Sequence, residues 1–199
     1  MLTVLTPSPT SDLTIAATAA RELQLLRQEE LDGLDELIGQ ASATCAGWCG
    51  RPEGFGRATV RQTERITTPR NSIILDRDLA PAITSITVDG VALAAADWEL
   101  DGALLYRLSG DARIRWERGV VVVTYAAGFA LLADLPPEIE RACLLVLAAI
   151  HAGRGRDPMQ RTENNGLVAV SFLDPRPGME SIPPAAAALL SPWRRLHLG

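Results

Sequence analysis

Apolar residues recur along this chain with two different periods, and the changes of period divide it into three blocks. Between about residues 10 and 50 the spacing is helical. Ile15, Ala19, Leu23 and Leu26 predict one stripe, with Ser11 or Asp12 placed to cap its start. Leu31, Leu34, Ile38, Ala41, Cys45 and Trp48 predict a second, with Glu29, Glu30 and Asp32 in its first turn, where a helix dipole favours negative charge. The breaker-rich run Gly50-Arg51-Pro52-Glu53-Gly54 ends it.

From about 57 to 130 the period shortens to two. Asp89-Gly90 and Asp101-Gly102 each stand between apolar runs, a strong hairpin signal because both central residues of the turn need positive φ. A third hairpin is expected where Arg113–Trp116 turns at Glu117-Arg118-Gly119 into Val120–Tyr125. Alternation at Trp98 and Leu100, at Leu104, Tyr106 and Leu108, and at Ile114 and Trp116 predicts an antiparallel meander with one covered face. No segment is long enough for parallel crossovers, so a doubly wound nucleotide-binding fold is excluded.

The third block is helical again. Pro136 and Pro137 suit a helix start, where a missing N–H costs nothing, and Asp134 is available as a cap. Ile139, Cys143, Val146 and Ile150 form one stripe, but Leu144, Leu145 and Leu147 cover the opposite side. Such a helix must be buried on several faces. Gly153 and Gly155 end it, and Gly128–Asp134 is the expected joint between sheet and helices. Residues 154–180 read as loop with a short strand at Leu167–Phe172. An Ala-rich helix follows Pro183-Pro184 and stops by Pro192. Trp193-Arg194-Arg195 then stands on a projecting tail, with two readings open: an interface anchor, or Trp193 folded back on its own domain. The fold class expected is α+β, a helical bundle from the N- and C-terminal segments with an inserted β-meander. The parts are 1–56, 57–130, 131–173 and an extended tail, 174–199.

Composition changes this picture in one respect. All 19 basic residues are arginine, and the formal charge is −5. Residues 1–40 hold seven acids against Arg21 and Arg27, which accounts for all of that charge; the remainder balances. An acidic chain without a basic block is poorly built to grip nucleic acid by its phosphates. The apolar run Ala142–Ile150 is too short to span a membrane. Three cysteines without framework spacing point to a soluble protein of a reducing compartment.

Candidate chemistry is thin. Cys45, Cys49, Cys143 and His151 lack zinc-site spacing, and Cys45 and Cys143 fall on apolar stripes. Asp76 and Asp78, and Asp97, Glu99 and Asp101, alternate as a wetted sheet face does. Arg113, Arg115 and Arg118 make a small basic patch near a turn. Neither a catalytic set, a cofactor site nor a metal site is expected.

Four short segments, in this order, carry a family likeness. The acidic second helix runs into Cys49-Gly50-Arg51. Val123-Thr124-Tyr125-Ala126-Ala127-Gly128 matches a V-T-Y-x-x-G strand end. Leu135-Pro136-Pro137-Glu138-Ile139 with Ala142 matches an L-P-x-x-I-x-x-A helix start. Ile182-Pro183 through Leu189-Leu190-Ser191-Pro192-Trp193-Arg194 matches a closing P-x-x-V-x-x-L-L-x-P-aromatic-R. Together they resemble the head–tail connector (adaptor, or head-completion) proteins of long-tailed bacteriophages and of gene transfer agents. Two features depart from that pattern: the long helix continues into AAIHAGRG instead of an aromatic-rich ending, and the β block is large.

The resemblance implies a homo-oligomeric ring, of twelve copies, beneath a portal protein in a virion neck assembled in the bacterial host cytoplasm. Such a ring extends the DNA channel, passes DNA without specific binding, and presents a surface to a stopper or tail-terminator. On this reading Leu189, Leu190, Trp193, Arg194 and Arg195 dock onto the portal, and deleting 181–199 abolishes docking with the fold intact. Glu29, Glu30, Asp32, Asp35 and Glu36 face the channel. A stopper or tail-terminator is the alternative within the neck; a cysteine or metal enzyme and a DNA-binding packaging factor are the alternatives outside it.

Overall fold

In the computed structural model, residues 1–25, 31–154, 162–164, 169–171 and 182–195 are described. The fold is α+β, with antiparallel pairing in every ladder between described strands. The chain forms two compact units. One comprises Met1–Thr10 with Phe55–Asp134, the other Ser11–Gly54 with the described residues of Leu135–Gly199.

The first unit is built on nine strands: β1 (Leu2–Thr6), β2 (Ala58–Ile66), β3 (Ser72–Ile74), β4 (Ala82–Val88), β5 (Val91–Ala92), β6 (Trp98–Asp101), β7 (Leu104–Ser109), β8 (Ala112–Ile114) and β9 (Gly119–Ala127). One sheet has the order β1-β2-β9-β4-β5; the other has β3-β7-β6, with β8 on the remaining length of β7. Their inward residues, among them Val60, Ile73, Ile86, Leu105, Trp116, Val123 and Tyr125, share one core. Trp116 is fully buried, and its indole N–H reaches the Leu105 carbonyl at 3.0 Å. Burying a side chain of that size stabilises the unit by roughly 3 kcal/mol.

Both Asp-Gly hairpins form, with Asp89 and Gly90 at φ 49° and 83° and Gly102 at 59°. The third expected hairpin does not. Ile114 of β8 pairs with Arg107 of β7, Trp116 bridges to Arg70, and β9 lies between β2 and β4. The sheet is therefore not a sequential meander. The reason is compositional: the strand GVVVVTYAA is buried or half-buried at every position and fits only a central place, whereas the three residues of β8 are all exposed. The first ten residues also depart from the helical part expected over 1–56. Leu2–Thr6 is an edge strand on β2, in register from Leu2 opposite Gln62 to Val4 opposite Val60.

In the second unit α1 (Ala16–Glu22) and α2 (Leu34–Trp48) pack with α3 (Pro137–Ala152), and α4 (Pro184–Leu190) packs on α3. The first helix starts later than expected. Ile15 is its N-cap, without a side-chain cap from Ser11 or Asp12, and Ile15 is 46% exposed while Leu13 and Ala19 are buried. Leu13 N–H is held instead by Ser42 Oγ at 3.0 Å, and Thr14 Oγ1 donates to Glu140 of α3 at 3.0 Å. Gly33, at φ 78°, starts α2, whose first turn carries Asp35 and Glu36. Helix α3 buries Ile139, Ala142, Cys143, Leu144, Val146 and Leu147, which explains its apolar surround. Asp134 makes no cap bond to α3; its carboxylate lies 3.9 Å from Arg57 within the first unit. A separate antiparallel pair, β10 (Thr162–Asn164) and β11 (Ala169–Ser171), completes the strands described.

Candidate functional site

The C-terminal end of α2 and the last described residues of the chain form one site. Gly50, at φ 66°, lets the chain turn left-handed after Cys49, and the next amide, Arg51 N–H, closes onto the Ala46 carbonyl at 2.9 Å. That closure points Arg51 inward, where it is 3% exposed and its Nε donates to the Trp193 carbonyl at 2.8 Å. Arg195 N–H donates to the Cys49 carbonyl at 2.9 Å, and its guanidinium pairs with the Glu53 carboxylate. The Arg194 guanidinium lies over the Trp48 ring, 4.6 Å from its centroid. Such half-buried, charge-assisted bonds contribute about 1.5–3 kcal/mol each. Two segments distant in sequence, Cys49-Gly50-Arg51 and Leu190–Arg195, thus latch together.

This placement selects the folded-back alternative for Trp193 over the projecting tail. Residues 182–195 make a helix and a 3-10 turn folded on their own unit. Of the expected docking residues, Leu190 is fully buried, Leu189 and Trp193 are half-buried, and Arg195 is engaged by Glu53. Arg194 alone among them is exposed. The physical cause is that Ile182, Ala186 and Leu190 repeat with helical spacing and bury together, at 6%, 0% and 0% exposure. Residues 174–181 and 196–199 lie outside the described residues. Glu53 and Trp48 complete the site and were not singled out by sequence; the pairing of an acid after Gly-Arg with the distant arginines has no local signature.

The expected acidic set divides. Asp35 and Glu36 are exposed in the first turn of α2 and Asp32 in the turn just before it, with Gln40 Nε2 donating to Glu36 at 3.3 Å. Glu29 and Glu30 lie outside the described residues. A groove of about 520 Å³ opens beside Trp48, between Thr44 and Gly47 of α2, Val146 and Ile150 of α3, and Pro183.

The cysteines are part of the packing. All three are buried and unpaired. Hydrogen bonding to Cys143, with burial added, pushes the Cys45 thiol up, and burial pushes the Cys49 thiol up to about 11. The Cys45 and Cys49 thiols stay protonated near neutral pH and act as small apolar groups.

In the first unit the V-T-Y-x-x-G segment has a structural role. Tyr125 is fully buried; its hydroxyl donates to Gln62 Oε1 at 3.0 Å and accepts from Arg77 N–H at 3.1 Å. Gln62, also fully buried, accepts from Asp76 N–H at 2.9 Å and donates to the Ile74 carbonyl at 2.8 Å. Sequence reading passed over Gln62; its one signal is an inward register position on β2, two residues after Val60. Gln62→Leu leaves the Tyr125 hydroxyl, the Asp76 amide and the Ile74 carbonyl without this partner. It is expected to cost about 2–4 kcal/mol. Chemical denaturation checks this, and a loss under ~1 kcal/mol contradicts it.

No protein-family model and no curated protein matches the sequence. Solved structures do. The chain is similar in fold to a chain in the virion of the native gene transfer agent (GTA) particle, at 20% identity and a TM-score of 0.61. It is likewise similar to chains in the neck of the empty particle with C6 symmetry (21%, 0.60) and in the neck of the native particle with C12 symmetry (20%, 0.55). Each match covers 100% of this chain and 98% of the other. At such identities the likeness establishes the fold.

Proposed function

We propose that this chain is a structural component of a virion neck, a head–tail connector of the adaptor type. It forms a ring, of twelve copies, beneath a portal protein, extends the DNA channel and offers the next neck or tail component its attachment surface. The observation that carries the reading is the end-to-end correspondence with neck chains: nothing of substance is left over in either partner of the match. A helical unit that holds roughly half the described chain favours the adaptor over a stopper or tail-terminator, which are dominated by β structure.

The residues fit a scaffold role. Asp32, Asp35 and Glu36, exposed at and just before one helix start, give a channel wall that repels phosphates and lets DNA slide. Docking to the portal is assigned to the exposed rim of the latch, Arg194 stacked on Trp48, with the half-buried Trp193 and Leu189 beside it. Aromatic and arginine side chains at such a rim are the usual carriers of binding energy. Arg194→Glu is expected to weaken portal binding about tenfold or more while leaving thermal unfolding near the unsubstituted value. Titration of portal with the purified chain reads this out, and unchanged affinity removes the docking assignment.

A further inference from the structure

We propose that Cys45 and Cys143 are a disulfide site, reduced while the chain is made and oxidised to a bond that ties α2 to α3 once the chain meets an oxidising medium. The site stands on the geometry of the helical unit alone; the occasion of its oxidation rests on the virion reading above.

Cys45 lies on α2 and Cys143 on α3, both 0% exposed, and the Cys45 thiol hydrogen-bonds to the Cys143 sulfur. Ser42, one turn before Cys45, reaches the same sulfur, with Oγ 3.6 Å from Sγ. Small residues around the pair let the two helices approach closely: Ala41, Ser42 and Ala46 on α2 and Ala142 on α3 are all buried. Sulfurs in contact across closely packed backbones are what a disulfide needs, since its Cβ atoms stand about 3.5–4.5 Å apart. Cys49 is turned elsewhere, its thiol donating to the Leu190 carbonyl at 3.9 Å.

The two sulfurs have different parts in the exchange. Leu13 N–H donates to Ser42 Oγ at 3.0 Å, which leaves the hydroxyl hydrogen for the Cys143 sulfur. Hydrogen bonds from Cys45 and Ser42 draw the Cys143 thiol below its ordinary value, against burial. Cys143 is therefore the sulfur that attacks first. With a small disulfide RSSR as oxidant, its thiolate displaces one RS− and forms a mixed disulfide. The Cys45 sulfur, giving its proton to the departing thiolate, then attacks Cys143 and releases the second RS−. Two thiols are oxidised to one disulfide, and one RSSR is reduced to two RSH. Both sulfurs are buried, so the oxidant enters only when α2 and α3 part locally, and the bond forms slowly.

The bond closes a loop of about 100 residues that contains all of Phe55–Asp134, and so removes much freedom from the unfolded chain. Disulfides persist on virion surfaces and not in the cytosol. A neck component assembled in the cytoplasm and then released is thus locked after assembly, not before it.

The test incubates the full chain, purified in dithiothreitol and then freed of it, with glutathione disulfide under native conditions. The chain is expected to lose the mass of two hydrogens, and non-reduced peptide mapping to find Cys45 joined to Cys143, with Cys49 still a thiol. The oxidised chain should melt about 5–15 °C above the reduced one. Cys143→Ala should melt alike in oxidant and reductant. A chain that keeps all its thiols through days in oxidant, a bond that includes Cys49, or a glutathione adduct that persists overturns the site. Mixing the oxidised chain with portal separates the two readings. The bond without a collar keeps the site and removes its role in a neck; a collar whose chains keep free thiols in oxidant overturns the site and leaves the neck reading intact.

Discussion

Removing residues 182–199 is expected to unfold the helical unit. Ile182, Ala186 and Leu190 are core residues at 6%, 0% and 0% exposure, packed on α3. Leu190→Ala alone is expected to cost about 2–5 kcal/mol, because a buried leucine loses both its transfer energy and the contacts of the cavity it leaves. Truncation adds to this. It strips the Trp193 carbonyl from Arg51 Nε, the Cys49 carbonyl loses Arg195 N–H, and Glu53 loses its guanidinium. Each half-buried polar group so orphaned costs about 1–3 kcal/mol. Whole domains are stable by only about 5–15 kcal/mol, so losses of this total are comparable to the entire stability of one unit. Circular dichroism and amide exchange check this: protection should vanish from α2 and α3. A truncated chain that melts like the full one contradicts it. Loss of portal binding on truncation therefore carries no information about docking, which is why Arg194→Glu is the variant to use.

Gly128→Ala is expected to destabilise the sheet unit by about 3 kcal/mol or more. Gly128 sits at φ 102°, and an added Cβ would lie 2.4 Å from the Gly56 carbonyl oxygen and 2.8 Å from Arg57 N. Neither atom is free to retreat. Arg57 N–H bonds the Phe129 carbonyl at 2.7 Å, Phe129 N–H bonds Phe55 at 2.8 Å, and Gly128 N–H bonds Leu79 at 2.7 Å. Strain and collision act together, and for a chain of this length the loss corresponds to a fall in melting temperature of about 6–12 °C. Gly90→Ala is the internal comparison: φ is 83°, but nothing lies within 4 Å of the added carbon. Its expected cost is about 1 kcal/mol. Equal losses at the two positions would show that the contact with Gly56 carries no weight.

Legibility from sequence followed locality. Helices α2 and α3 have apolar residues at three- and four-residue spacing; α3 lies where that spacing placed it, and α2 does from Leu34 onward. Gly33 starts α2 after Leu31 and Asp32, so its first turn carries Asp35 and Glu36 and not the expected Glu29, Glu30 and Asp32. The Asp-Gly turns were legible locally: Asp89 and Gly90 take positive φ in succession, as expected, while at the second turn Gly102 alone does, without Asp101. Pairings between distant strands leave no such mark. Strand β9 meets β2 from Ala58 opposite Ala127 to Ile66 opposite Gly119, and nothing near Gly119 distinguishes this from a hairpin with the segment just before it. Strand β1 is brief and uncharged, and carries too few residues for a period to show, so the sequence groups it with the helical part, 1–56. The latch was half legible: both segments stood out, yet their meeting through Arg51 and Trp193 joins residues 142 apart. The apolar spacing of Ile182, Ala186 and Leu190 was present in the sequence, and it outweighed the tail-like look of Trp193-Arg194-Arg195.

The central claim is that copies of this chain assemble as a collar on a portal. Electron microscopy of the chain mixed with its portal protein tests it most directly. The account predicts a ring of twelve copies, seated on the portal, around an open channel. A chain that stays monomeric and leaves the portal bare, or that sits on the tail side of another neck component, would contradict it.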